Sequence, residues 1–161
     1  MSPARPRAAY AATVHGEQIA EDFPVVSLDD DALAAVQLLA GHRLPGLIVT
    51  RPDGSPYAVL PASQVVRFLV PSYVQDDPSL ARVIDEPLAD RLADKLSGLT
   101  VRKLLPDEPR EIPVVAHDDT LLEIAATMAR LRCPLVAVVR DRRIVGAITA
   151  SRLLELAVGA H

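Results

Sequence analysis

The stretch Val114–Leu154, VVAHDDTLLEIAATMARLRCPLVAVVRDRRIVGAITASRLL, reads as a strand, a helix, two strands and a second helix. Val114-Val115 is a short extended segment introduced by Pro113. Thr120-Leu121-Leu122-Glu123 is a capping box: the Thr120 hydroxyl accepts from an early backbone N–H, and Glu123 reaches back to the cap. The spacing predicts a helix over 121–131 with Ile124, Ala125 and Met128 on its buried face. Pro134 ends the helical stretch and introduces a strand at Leu135–Val139. Asp141-Arg142-Arg143 then makes a tight turn, and a return strand runs through Ile144–Ile148. A closing helix starts near Ala150 and carries Leu153, Leu154 and Leu156.

The same pattern occurs 89 residues upstream. With Pro45 placed over Pro134, Val25-Val26 falls on Val114-Val115, Asp29-Asp30 on Asp118-Asp119, and Leu33 on Leu122. Ala40, Arg43, Val49 and Arg51 meet Ala129, Arg132, Val138 and Arg140. About a third of the positions from Val25 to Arg51 are identical, which marks an internal duplication. One residue is lost from the later copy in the turn, after which Ala62-Ser63 lies on Ala150-Ser151; upstream, Thr13-Val14 sits on Thr100-Val101. In the first copy Asp31 takes the capping position, and a helix over 32–41 presents Leu33, Val36 and Ala40. Strands are expected at Leu47–Thr50 and Tyr57–Leu60, joined through Pro52-Asp53-Gly54, before a closing helix from Ala62 that carries Val65, Val66, Phe68 and Leu69.

The organisation is therefore a flexible N-terminus over 1–12, a first repeat over 13–70, a helical inter-repeat segment over 71–98 and a second repeat over 99–158. In the inter-repeat segment Leu80, Val83, Ile84, Leu88, Leu92 and Leu96 have helical spacing, and Gly98 is placed to end it. Pro87 predicts two shorter helices, or one broken near Glu86. The apolar stripe either packs on the repeats or forms part of a dimer contact.

Composition narrows the function. Half of the 161 residues are hydrophobic, with two Phe, three Tyr and no Trp, so the core is aliphatic. A net charge of −4 with interspersed signs and no dense basic cluster argues against nucleic acid as partner. The single Cys133 permits no intrachain disulfide, and a small buried hydrophobe is its expected role. No apolar run is long enough to span a bilayer and no secretory h-region is evident, so a cytoplasmic protein without membrane insertion is expected. His15, His42, His117 and His161 show no metal-ligand spacing, and Asp29-Asp30-Asp31 is accounted for by helix capping. With no phosphate loop, nucleophile elbow or paired carboxylates, catalysis has no candidate and no metal is expected.

The two copies resemble tandem cystathionine-β-synthase-type (CBS) domains. The second carries the pattern best, in Asp118-Asp119-Thr120-Leu121, the strand Leu135–Val139, and Gly146-Ala147-Ile148-Thr149-Ala150-Ser151-Arg152-Leu153-Leu154. Thr100-Val101-Arg102-Lys103-Leu104-Leu105 is similar to the lead-in of such a domain. The resemblance implies an α/β fold of two β-α-β-β-α units packed sheet against sheet about a pseudo-twofold axis, with a cleft on each side. It also implies a regulatory module of enzymes, channels or transporters that binds an adenosine-containing ligand, such as AMP, ADP or ATP, and pairs into a homodimer.

The family's ligand motif is Gly-h-x-Thr/Ser-x-x-Asp. Gly146 and Thr149 match it and Ser151 adds a hydroxyl, but Arg152 stands at the acidic position. A guanidinium cannot accept from a ribose hydroxyl. It can hold a phosphate or carboxylate bidentately, which makes Gly146, Thr149, Ser151 and Arg152 the candidate anion site. In the first copy the same positions read Ala58, Pro61 and Gln64, and Pro61 removes both a hydroxyl and an N–H, so that half-site is expected to be dead and only the second copy to keep a site. Two readings stay open: a ligand sensor acting on a separate transporter or enzyme, and a dimeric interaction module with vestigial clefts. At the second-copy site, the alternative role is that Thr149 only caps a helix and Arg152 is a solvated charge.

Overall fold

In the computed structural model, which describes residues 14–83, 87–106 and 111–159, each copy builds one three-stranded sheet. After a short α1 (Gly16–Ile19), β1 (Val25–Ser27) leads into α2 (Ala32–Gly41). It then runs parallel to β2 (Gly46–Thr50), which pairs antiparallel with β3 (Pro56–Pro61), and α3 (Ala62–Leu69) closes the copy. The linking segment holds α4 (Ser72–Asp76), a 3₁₀ turn at Pro78–Val83, α5 (Leu88–Leu96) and a second 3₁₀ turn at Val101–Leu104. The later copy repeats the plan with β4 (Val114–Ala116), α6 (Leu121–Leu131), β5 (Leu135–Arg140), β6 (Arg143–Thr149) and α7 (Ala150–Ala157).

The apolar runs become central strands because both of their faces are covered. Along β2, Leu47 and Val49 enter the first helix-covered core, whereas Ile48 points the other way. Along β5, Val136 and Val138 enter the second core, and Leu135 and Ala137 turn opposite. Ile48, Leu135, Ala137 and Ala147 form one buried cluster, which is the sheet-against-sheet contact. The two-residue period of a strand thus splits each run between two cores.

Local capping fixes the helix starts. Asp31 accepts from Ala34 N at 2.9 Å, and Thr120 accepts from Glu123 N while the Glu123 carboxylate accepts from Thr120 N. An arginine in the left-handed region follows each crossover helix, Arg43 at φ 52° just past the His42 cap of α2 and Arg132 at φ 51° as the cap of α6. Even the irregularities repeat: the strand register slips between Val49 and Thr50 and between the matching Val138 and Val139. The later hairpin is tighter than the sequence predicted. Its turn is only Asp141-Arg142, both at positive φ, and Arg143 already belongs to β6.

Each lead-in packs into the core of the other copy. Val101 and Leu104 are fully buried in the first core, and Val101 N and Arg102 N donate to Asp30 O and Leu28 O. Ile19 is buried in the second core, and Gly16 N and Glu17 N donate to Asp119 O and His117 O. These matching bonds correct the upstream register. His15 bridges Thr120 as Thr100 bridges Asp31, so His15, not Thr13, is the counterpart of Thr100.

Two further expectations change. Ala32, Ala35, Val36 and Leu39 form the buried face of α2, and Ala40 is exposed. Among the described residues of the inter-repeat stripe, Leu96 is fully buried in the first core and Leu92 packs against it, while Leu88 is 63% exposed. The expected flexible terminus over 1–12, the break near Glu86, Ile84 and His161 lie outside the described residues.

Candidate functional site

The four residues selected from the sequence gather where β6 meets α7. Thr149 is the N-cap of α7 and accepts from Arg152 N at 3.1 Å, and its Oγ1 lies 3.2 Å from Ser151 Oγ. Arg152 Nη1 donates to Glu155 Oε1 at 2.5 Å, and Arg152 Nε lies 3.9 Å from Glu21 Oε1. That Nε is buried without a hydrogen-bond partner. The helix-capping role of Thr149 is therefore realised, whereas Arg152 is half-buried between two carboxylates.

Gly146 explains how Glu21 arrives there. A Cβ at this position would lie 2.9 Å from both Ala20 Cβ and Glu21 O. Glu21 N and Ala147 N each donate to the other's carbonyl at 2.9 Å. The close approach that this glycine permits is therefore made by the chain itself. The acidic group facing Arg152 comes from the lead-in, a contact that the repeat alignment gave no means to foresee.

On the opposite side of the pseudo-twofold axis a cleft of about 850 Å³ opens between the copies. The first-copy positions Ala58, Pro61 and Gln64 line it, together with Leu105-Pro106, Ile112-Pro113 and Cys133. Such a volume is within the range of small-ligand sites. Pro61 is the N-cap of α3 and makes no side-chain cap bond, as the sequence led one to expect. Gln64 Nε2 donates to Leu104 O at 3.4 Å, which leaves its Oε1 as an acceptor where the family motif has a carboxylate.

The charge of this cleft is set by arginines. Among the described residues, Arg51, Arg67, Arg130 and Arg132 line it, against the one carboxylate of Glu111. Arg51 donates to Pro56 O at 3.1 Å and lies over the Tyr57 ring, 5.2 Å from its centroid. Arg130 pairs with Glu111; its hydrogen bond holds the Glu111 carboxyl below the ordinary glutamate range and pushes the guanidinium up. Burial raises the Cys133 thiol, whose Sγ donates to Leu135 O at 2.9 Å, so the group at the cleft wall is a neutral thiol. The arginines come from three separate segments, so no local motif announces them. The repeat did contain a signal, since Arg51 and Arg132 are each matched in the other copy.

A shallower groove of about 730 Å³ lies between the hairpin tips and the lead-in. Asp22, Asp53 and Asp141 there offset Arg142 and Arg143, so it has no strong preference for either sign. Among the described residues, no group of His, Cys, Asp or Glu side chains could hold a metal ion, and no helix is long and apolar enough to cross a membrane.

Comparison with known proteins agrees with this architecture. The CBS domain family model matches residues 109–159, the copy whose motif residues are most complete. A CBS domain-containing protein of Kribbella flavida DSM 17836 is 75% identical over 91% of this chain and 99% of its own, with a TM-score of 0.81. The CBS domain of a membrane protein from Sphaerobacter thermophilus is 25% identical over 95% of this chain and 94% of its own, with a TM-score of 0.70. The CBS domain of a bacterial CNNM/CorC-family Mg²⁺ transporter, solved in complex with ATP, is 15% identical over 94% of this chain and 92% of its own, with a TM-score of 0.63. No match is found among curated proteins.

Proposed function

The chain belongs to the CBS-domain family, and on that premise we propose that it is a non-catalytic regulatory module that binds an anionic, adenosine-containing ligand in the arginine-lined cleft. One observation carries this reading: among the described residues, four guanidinium groups line one cleft against a single carboxylate. Guanidinium binds phosphate oxygens bidentately, and each charge-assisted bond is worth roughly 1.5–3 kcal/mol before solvent exposure is discounted. Tyr57, Val59 and Ile112 supply apolar surface for a base. The CNNM/CorC relative complexed with ATP adds support for the ligand class and for a transporter as the kind of partner acted upon. A cytoplasmic location follows for a module that reads a nucleotide.

Thermal denaturation with adenosine, AMP, ADP, ATP and S-adenosylmethionine tests this. A ligand at about 100 times its Kd stabilises the native state by roughly 2.7 kcal/mol, which for a chain of this size raises Tm by about 5–10 °C. Phosphate-bearing ligands should give that rise, added salt should reduce it, and Arg67→Ala with Arg132→Ala should remove it. No rise at millimolar nucleotide would sink the proposal.

A second reading, the homodimeric interaction module, draws on a different observation. Val66 and Leu154 occupy matching positions on α3 and α7 and are 59% and 62% exposed. Light scattering on the chain and on Val66→Glu with Leu154→Glu distinguishes the readings. A dimer lost in that double variant without any nucleotide response would favour interaction over sensing.

A further inference from the structure

The two clefts are related by the duplication, yet the structure gives them opposite electrostatic character. In the open cleft the positions of interest read Gln64, Arg67 and Pro106. Their counterparts across the pseudo-twofold axis are Arg152, Glu155 and Glu21. The first trio presents one cation, whereas the second presents one cation already flanked by two carboxylates. Backbone chemistry differs in the same sense. Glu21 gives its N–H to Ala147 O and closes a two-bond bridge onto β6, whereas Pro106 has no N–H to give to the matching strand. The connection from Leu104 to Val114 is also four residues longer than that from Ile19 to Val25. Gly146 completes the fit, because any side chain there would collide with Ala20 and Glu21.

We propose that the second cleft carries its own anion: the Ala20–Glu21 segment, seated on β6, holds the Glu21 carboxylate beside Arg152 in the place of a ligand's anion, so that each chain has one anion site instead of two. This rests on the proposed anion cleft for its count of one. The placing of the Glu21 carboxylate at the second corner stands on the lead-in geometry alone.

Inorganic pyrophosphate, followed by titration calorimetry, is the probe. The intact chain should bind one pyrophosphate per chain, and Arg67→Glu should abolish that binding. Adding Glu21→Gln to Arg67→Glu should create a new pyrophosphate site, with affinity raised at least about tenfold by loss of the competing carboxylate. Arg152→Ala should remove the new site. The proposal is overturned if Arg67→Glu alone still binds pyrophosphate and Arg152→Ala abolishes it, because the corner is then open in the native chain. It is equally overturned if the folded Glu21→Gln, Arg67→Glu chain gains nothing. If the intact chain ignores both ATP and pyrophosphate, the regulatory reading fails, and the Glu21→Gln comparison still decides this one.

Discussion

Replacing Gly146 by alanine is the most direct probe of the lead-in seated on β6. The added Cβ would sit 2.9 Å from Ala20 Cβ and from Glu21 O, where ordinary contact begins near 3.4 Å. The lead-in must retreat by roughly half an ångström or more, or the strand must bear the overlap; overpacking of this kind costs about 1–3 kcal/mol. Retreat would stretch the two 2.9 Å bonds between Glu21 and Ala147, and losing both costs a similar amount, about 1–3 kcal/mol. The two costs are alternatives, so about 2 kcal/mol is expected, a fall in Tm of roughly 4–8 °C for a chain of this length. Gly41→Ala is the control: nothing lies within 4 Å of a Cβ there, and the residue ends α2, so the change should be neutral or stabilise by up to about 1 kcal/mol. Urea denaturation gives the energies, and amide exchange at Glu21 and Ala147 reports whether the bridge has opened. If Gly146→Ala stays within about 0.5 kcal/mol of the parent, a change typical of uninvolved surface sites, with both amides still protected, the lead-in is not seated as described.

Arg132→Gly should raise stability by about 0.5–1 kcal/mol, since glycine relieves a left-handed penalty of about 1–2 kcal/mol at some cost in chain entropy, while weakening nucleotide binding. Arg43→Gly should give the same gain with binding intact, as read by denaturation and titration side by side. Leu104→Ala should cost about 2–5 kcal/mol, and exchange should accelerate in α2 of the first copy rather than in α6 of its own. The Glu111 carboxyl, followed by NMR, should titrate below an ordinary glutamate and return to the ordinary range in Arg130→Ala. Because that pKa is depressed, the link between Glu111 and α6 is present above the ordinary glutamate pKa and is lost as pH falls through the lowered one.

The parts of the fold visible in the sequence were those fixed by local chemistry. The helices over 32–41 and 121–131 have the bounds that Asp31, the Thr120–Glu123 box and the following prolines dictate. The duplicated strands followed from runs buried on both faces. Where the pattern carried no direction, it misled: α2 is apolar on nearly every side, so its period could not tell Ala40 from Leu39, and packing chose. The helix α4 had too few residues to give a period. At the site, Gly146, Thr149 and Arg152 were found together, but Glu21 comes from more than a hundred residues away in the chain. The arginine cleft was hidden for the same reason, since it exists only once three segments meet.

The crossed lead-ins bear on how such a chain can diverge. A single copy keeps its own lead-in away from its own core and leaves a gap that only another copy fills. One unit alone would therefore exist as a symmetric pair, and any substitution in it would alter both clefts at once. Joining the two units in one polypeptide removes that constraint. Gln64 and Arg67 on one side can then change independently of Arg152 and Glu155 on the other, so one cleft can specialise while its twin is given over to holding the halves together.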